Sequence, residues 1–152
     1  MIQRSRGGLA LALALALFGV LASGCDSPPD FSAGPCEIEP TLSSLQAESF
    51  IPGCAFSGCH DKKSSEGGLD FESPGLHARL VKVAAMDDNA GPRGKLRVVP
   101  GDPDASFIVQ KVEGTQAGDE GELMPEGAEE PISPDCRIAK LRKWIEDGAK
   151  DN

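Results

Sequence analysis

Two cysteines and a histidine stand close together in the segment G-C-A-F-S-G-C-H, which covers residues 53–60. Cys54 and Cys59 are thiols that can add to the vinyl groups of haem, and His60 has an imidazole that can bind the iron. The common attachment motif, C-x-x-C-H, has two residues between its cysteines, whereas this segment has four. The residue types therefore predict covalently attached haem, and the spacing departs from the usual pattern.

Two other chemistries fit the same side chains. In an oxidising compartment Cys54 and Cys59 would close a small disulfide loop, and the domain would then serve a binding or structural role. A zinc site built from these cysteines with His60 and His77 is a third possibility, although its spacing does not match the common zinc patterns. The sequence contains no convincing Ser/His/Asp set, phosphate-binding glycine loop or pair of catalytic carboxylates. We therefore expect no enzymatic activity.

The first 24 residues predict export. Arg4 and Arg6 form a basic region, residues 9–21 are almost entirely Leu and Ala, and small residues precede Cys25. This pattern is typical of a secretory signal peptide, residues 1–24. The ending L-A-S-G-C resembles a bacterial lipobox, which implies that Cys25 becomes a lipidated N-terminus. That lipid would anchor the protein in a membrane of the bacterial cell envelope, at its periplasmic or outer-membrane face.

The number of cysteines bears on how they pair. The chain has five, an odd number for an exported protein, and lipidation of Cys25 leaves four. If all four form disulfides, three pairings are possible. If Cys54 and Cys59 instead hold haem, only Cys36 and Cys136 remain to pair, and their bond would join the start of the domain to its last helix.

Acidic residues dominate the charge, because 24 Asp and Glu against 15 Lys and Arg give a net charge of −9. An acidic surface does not suit nucleic acid or anionic lipid. It suits a basic protein partner, although acidic surfaces also serve solubility alone.

Composition and periodicity predict one helical domain after a tether. Residues 25–40 are rich in Ser, Pro, Gly and Asp, which is typical of a flexible tether, and residues 41–152 are enough for one modest domain. Helical spacing and capping residues predict four helices. These helices cover residues 41–50, residues 76–85, a stretch capped by Asp102 that starts at Pro103 and stops at Gly114, and a stretch capped by Ser133 that starts at Pro134 and stops at Gly148. A short extended piece is expected at 67–71.

Two further residues bear on the site. Met124 lies in a long loop, residues 114–131, and a loop of this length is uncommon in a compact domain unless it has a function or is mobile. Taken alone, Met124 is expected to fill a gap in the core. His77 lies off the apolar stripe of its helix and is expected to be a surface or boundary histidine.

From about Thr41 to Ala149 the chain resembles the cytochrome-c-like domains of bacterial lipoproteins related to planctomycete-type cytochrome c. Five pieces in the same order support the resemblance: F-I-P-G-C-A-F-S-G-C-H, G-G-L-D-F, V-V-P-G-D-P-D-A-S-F-I-V-Q-K-V, L-M-P-E-G and L-R-K-W-I-E-D-G-A. The resemblance implies an all-α, cytochrome c-like fold with long loops. It also implies haem c held by thioether bonds at Cys54 and Cys59, with His60 and Met124 as the axial ligands of the iron.

This ligand set implies a function. A His/Met pair raises the potential of haem and fills both axial positions, which favours electron transfer over oxygen chemistry. The expected protein is a membrane-anchored monohaem electron carrier with redox protein partners. If Met124 is not the ligand, His77 would give a bis-histidine site of lower potential, and Met86 is a weaker third choice. One departure from the family is that Met-Pro-Glu replaces the more frequent Met-Pro-Pro.

Overall fold

A computed structural model of the chain describes residues 37–132 and 135–152. The predictions for the signal peptide, for most of the tether and for Cys25 and Cys36 lie outside these residues. Within them the secondary structure is helical, with isolated β-bridges and no strand, as expected for an all-α domain. None of the helices in these ranges has both the length and the apolar character needed to cross a membrane.

The first helical stretch reaches the first cysteine of the motif. Helix α1 (Leu42–Leu45) is followed by a π-helical turn (Gln46–Phe50) and then by helix α2 (Ile51–Cys54). The predicted end before Pro52 is wrong, because this proline occupies the first turn of α2. The wider π turn directly before it relieves the clash that a proline ring makes with the preceding turn of an α-helix.

Helix α3 (Leu76–Leu80) is shorter than the predicted helix at 76–85. Val81 leaves the helix with an extended backbone and forms a bridge with Val98, and Ala84 forms a bridge with Leu96. β-Branched residues favour an extended conformation, and a second chain segment lies alongside to pair with them. The second half of the predicted helix is therefore wrong.

Helix α4 (Phe107–Glu113) begins later than predicted. Asp102 does cap a turn, because its carboxylate accepts a backbone N–H three residues further on at 3.0 Å. The helix predicted from Pro103 nevertheless starts only after Ser106, whose buried hydroxyl donates to the Asp102 carbonyl at 2.8 Å. The predicted stop at Gly114 is confirmed by its left-handed backbone, with φ of 67°.

Helix α5 (Cys136–Glu146) is amphipathic, as predicted. Its cap is Asp135, whose carboxylate accepts from the Arg137 N–H at 2.8 Å, whereas the predicted Ser133 and Pro134 lie outside the described residues. The helix contacts α1 and α4. The residues on its inward side are buried: Ile138, Leu141, Trp144 and Ile145.

One hydrophobic core contains side chains from α1, α3, α4 and α5, and Cys54 of α2 packs against it. Trp144, the only tryptophan of the chain, is buried there and donates from Nε1 to the Lys150 carbonyl at 2.9 Å. Ile38 also belongs to this core, although residues 25–40 were expected to form a tether. The packed domain therefore begins before the predicted boundary at residue 41.

The last residue of the sequence contacts the start of α1. The Asn152 side-chain oxygen accepts from the Leu42 N–H at 3.1 Å, and its backbone oxygen accepts from the Ser43 N–H at 2.9 Å. Thr41 caps the same helix end, because its hydroxyl accepts from the Ser44 N–H at 3.3 Å. These contacts satisfy backbone donors that have no partner within a helix.

Candidate haem-attachment site

The residues between the two cysteines form a closed turn. Helix α2 ends at Cys54, and the chain returns at once, because the His60 N–H donates to the Cys54 carbonyl at 3.3 Å. The Cys59 N–H donates to the Phe56 carbonyl at 2.9 Å. Gly58 has a left-handed backbone with φ of 88°, a conformation that costs glycine little. The unusual spacing is thus accommodated within one small loop, which we call the cysteine loop (residues 54–60).

His60 is held through one of its two ring nitrogens. Its Nδ1 lies 3.0 Å from the Glu66 carbonyl oxygen and 3.2 Å from the Leu69 carbonyl oxygen. Because carbonyl oxygens only accept hydrogen bonds, Nδ1 carries the proton of the neutral ring and Nε2 keeps its lone pair. In the part of the chain that the structure describes, Nε2 has no hydrogen-bond partner. A histidine in this state is prepared to bind a metal through Nε2.

The imidazole of His60 also packs edge-on against a buried aromatic side chain. The ring centroids of His60 and Phe71 are 5.3 Å apart, and Phe71 stacks on Phe50 at 4.6 Å. The expected extended piece at 67–71 is therefore wrong, since this segment contains part of a 3-10 turn (Glu66–Gly68) and wraps around the histidine. The sequence did not reveal that the G-G-L-D-F motif supports His60.

Cys54 and Cys59 are unpaired thiols in the structure, so the alternative disulfide between them is not formed. Burial raises the pKa of Cys54 to about 11, and nearby Arg137 partly offsets this effect. The Cys54 thiol therefore stays protonated at neutral pH. The Cys54 side chain packs against the core. Cys59 is held through its backbone, because its carbonyl accepts from the Glu66 N–H at 2.9 Å.

Arg97 lies behind the turn that supports His60, and sequence reasoning missed it. The side chain is 7% exposed, and Nη2 donates to the Gly67 and Gly68 carbonyls at 2.8 and 3.2 Å. Nη1 donates to the Arg79 carbonyl at 2.7 Å. No carboxylate pairs with it among residues 37–132 and 135–152. Burial lowers the pKa of this guanidinium. The one available signal was a charged residue inside the apolar run 96–99.

The long loop that carries Met124 is fastened by a buried carboxylate. Glu120 is 1% exposed and accepts hydrogen bonds from Lys95 at 2.5 Å and from Arg93 at 3.2 Å. The hydrogen bond from Lys95, together with that from Arg93, lowers the pKa of Glu120. Arg93 also pairs with Asp119 at 2.5 Å. Although the loop has no regular secondary structure, its path is fixed at this point.

Met124 itself is half-buried next to α4. Its N–H donates to the Lys111 carbonyl at 2.8 Å, and the Lys111 ammonium donates to the Glu120 carbonyl at 3.1 Å. His60 is instead held by residues 66–71. The two predicted axial ligands are therefore anchored by different parts of the fold.

The two alternatives to Met124 have other contacts. His77 Nε2 lies 2.9 Å from the Ala149 carbonyl oxygen, so this nitrogen carries the proton and holds the segment after α5. Met86 is 65% exposed. Its sulfur fills the space that a side chain on Gly68 would occupy. In the described ranges no group of three or more His, Cys, Asp or Glu is placed to hold a metal ion. The zinc site considered above is thus not formed there.

Exposed apolar side chains surround the cysteine loop. The large hydrophobic residues with high exposure in the described part of the chain are Ile51, Phe56 and Met86. Ile51 begins α2, Phe56 is 51% exposed between the two cysteines, and Met86 lies against the turn behind His60. Because exposed apolar area is stabilised by burial, an apolar ligand at this loop would be favoured.

Cys136, the first residue of α5, is disulfide-bonded. Its predicted partner Cys36 lies outside the described residues, so the predicted pairing stays a prediction.

Comparison with protein-family models, with curated proteins and with solved structures finds no match to this chain. The chemistry of the cysteine loop and its support therefore carries the functional argument.

Proposed function

We propose that the protein is a monohaem c-type cytochrome that carries single electrons at the bacterial cell envelope, anchored by a lipid on Cys25. In this proposal Cys54 and Cys59 hold haem c through thioether bonds, and His60 and Met124 are the axial ligands of its iron. The protein transfers electrons and converts no substrate. Its partners are redox proteins, and basic docking surfaces on them would complement its acidic charge, which is 13 − 24 = −11 once residues 1–24 are removed.

The hydrogen bonding of His60 is the observation that carries the proposal. Two backbone carbonyls hold Nδ1 as the donor, which leaves Nε2 as a ligand of fixed tautomer directly after Cys59. Nε2 is not among the buried polar atoms, so a metal can reach it from solvent.

The side chains of the cysteine loop fit a covalently attached haem. Both sulfurs are unpaired, and an S–H group adds across a vinyl group without an external oxidant. Phe56, exposed between them, would be covered by a large apolar ring. When bound, haem supplies a one-electron centre whose potential depends on its axial ligands and its surroundings.

Met124 suits the second axial position because its thioether is neutral and soft, and such a ligand favours ferrous iron. The contacts of its loop support this role. The Glu120 carboxylate holds one end of residues 120–124, and the Lys111 carbonyl, which accepts from the Met124 N–H, holds the other end. The backbone on both sides of this segment is therefore fixed.

Expression with a c-type haem maturation system tests the proposal. We expect haem to remain with the protein after acid-acetone extraction. The single variants Cys54→Ser and Cys59→Ser should each keep haem through one thioether bond, with a shifted reduced α-band after denaturation in pyridine. The double variant should lose all haem in the extraction.

Ser57→Ala is the matched control, since Ser57 is an exposed residue of the same loop and should leave attachment unchanged. Haem-free protein in which mass spectrometry maps a disulfide between Cys54 and Cys59 would overturn the proposal.

A further inference from the structure

Four consecutive carbonyl groups, in residues 66–69, are divided between two side chains. The outer two accept from His60 Nδ1 at 3.0 and 3.2 Å. The inner two accept from Arg97 Nη2 at 2.8 and 3.2 Å. The histidine therefore holds the two ends of this short turn, and the arginine holds its middle.

We infer that Arg97 is a positioning residue for His60, which fixes the turn so that its outer carbonyls hold the imidazole as the Nδ1–H tautomer and present the Nε2 lone pair. Arg97 makes no hydrogen bond to His60 itself, because it donates to the carbonyls of Gly67, Gly68 and Arg79. It determines where the acceptors of the histidine proton lie.

The backbone of the turn explains why such a residue is needed. Gly67 and Gly68 both have left-handed backbones, with φ of 59° and 65°, and glycine has little intrinsic preference for that conformation. The planar guanidinium spans both carbonyls and reaches a third, that of Arg79. A lysine ammonium has no rigid fork and would not fix the same geometry.

Arg97 also places a positive charge behind the ligand. With no carboxylate partner in the described part of the chain, its charge is balanced only by backbone dipoles. Charges in a poorly hydrated environment interact strongly. If the metal at Nε2 is the haem iron, this charge favours the reduced state, and this half of the inference rests on the proposed function.

The tautomer of His60 in haem-free protein tests the positioning role without haem. Nitrogen NMR of the histidine rings, at a pH where the ring is neutral, should show Nδ1–H for His60 in the wild type. Arg97→Lys and Arg97→Gln should both shift His60 toward a mixture of tautomers. Native fluorescence of Trp144 verifies that each variant is folded, and Arg97→Lys decides the test if Arg97→Gln does not fold.

Arg79→Gln is the matched control. Arg79 also donates to three backbone carbonyls, those of Asp70, Ser73 and Pro74, but to none within residues 66–69. It should change stability and leave the His60 tautomer unchanged. An Nε2–H tautomer in the wild type, or an unchanged tautomer in folded Arg97→Lys, would overturn the inference.

The haem-loaded protein tests the charge. Arg97→Gln should lower the reduction potential, and Arg97→Lys should lower it less because the charge remains. If no haem attaches, the proposed function fails while the tautomer still decides the role of Arg97. If haem attaches and neither tautomer nor potential responds to Arg97, this inference alone fails.

Discussion

His60 illustrates how the hydrogen bonds of one ring nitrogen prepare the other for a ligand. A free histidine must lose both ring rotation and tautomer exchange when it binds a metal. Here the carbonyls of Glu66 and Leu69 select the tautomer, and the edge contact with Phe71 restrains the ring plane. Folding therefore already restricts the rotation and the tautomer of this ring, so less conformational entropy is lost when a metal binds. Contacts that orient a ligand in this way generally raise metal affinity.

Replacing Met124 tests the second axial ligand. In the proposed cytochrome, Met124→Ala should remove the charge-transfer band associated with sulfur ligation and change the spectrum of the reduced protein, since the iron would lose its thioether. Met86→Ala is the matched control, because Met86 is exposed and lies against Gly68, and its spectrum should not change. A spectrum of Met124→Ala identical to that of the wild type would remove Met124 from the site.

Replacing Phe71 tests the aromatic support of His60. Phe71 is buried between Phe50 and the imidazole, and truncation of a buried phenylalanine to alanine costs about 3–5 kcal/mol. We expect Phe71→Ala to lower the free energy of unfolding by that amount in urea titrations followed by Trp144 fluorescence. Phe56→Ala, at an exposed site, should change it by less than about 0.5 kcal/mol. Equal losses in the two variants would contradict this account.

At the level of elements, the best predicted helix is the one whose periodicity and packing agree. The inward residues of α5 repeat at helical spacing and are all buried, and Gly114 ends α4 as its backbone freedom suggests. The errors arise where a distant segment competes with local preference. Val81, for example, pairs with Val98 and leaves the helix. The spacing of residues 76–85 cannot indicate a contact with a segment outside that range.

Removing the side-chain cap at the start of α1 should weaken the domain. Asn152→Ala deletes the acceptor of the Leu42 N–H, and loss of a helix cap costs about 0.5–2 kcal/mol. Thermal and urea unfolding should both report a decrease in this range. Asp151→Ala, which alters an exposed neighbour, should have a smaller effect. Equal losses in the two variants would mean that the loss does not come from the hydrogen bond to Leu42.

At the level of the whole molecule, charged groups fix the loops that regular secondary structure does not. Glu120 joins the Met124 loop to Lys95 and Arg93, and Arg97 joins the His60 turn to the end of α3. The sequence predicted an acidic chain and a long loop. It could not predict these pairings, because each joins residues far apart in the chain and a charged residue is usually solvated.

Acid should loosen the loop around Glu120. Its pKa is held below the ordinary value of 4.5, so it contributes stability that is fully present above that value and is lost as the pH falls through the lowered pKa. We expect the urea midpoint to fall between about pH 5 and pH 3. Several other carboxyl groups with lowered pKa values should add to this fall: Asp61, Asp70, Asp119 and Asp135.

Glu120→Gln isolates the contribution of this carboxyl group. The variant should be less stable than the wild type at neutral pH and should lose less stability on acidification, because one titrating group is gone. Glu122→Gln makes the same change at an exposed position of the same loop and should follow the wild type. Parallel pH profiles for Glu120→Gln and the wild type would show that Glu120 has no such role.

The sequence predicted the part of the candidate site that is local in the chain. Cys54, Cys59 and His60 are neighbours in the chain, so their spacing alone indicated one site, and the resemblance added Met124. The support of that site comes from Arg97 and Phe71, which the fold rather than the chain brings to the histidine. Arg97 stands out in the sequence only as a charged residue within the apolar run 96–99, and nothing in the type or spacing of either residue links it to His60.

The π-helical turn (Gln46–Phe50) determines which side of its helix Cys54 occupies. In a uniform α-helix, residues 42 and 54 would stand about 120° apart around the axis, but one residue absorbed by the wider turn reduces this angle to about 20°. Cys54 is thereby aligned with the buried Leu42. If one residue between Leu45 and Pro52 were deleted, a regular α-helix would place the cysteine on the same side as Leu42, and no π turn would be needed. The extra residue and the π turn are thus expected to appear, or to be lost, together.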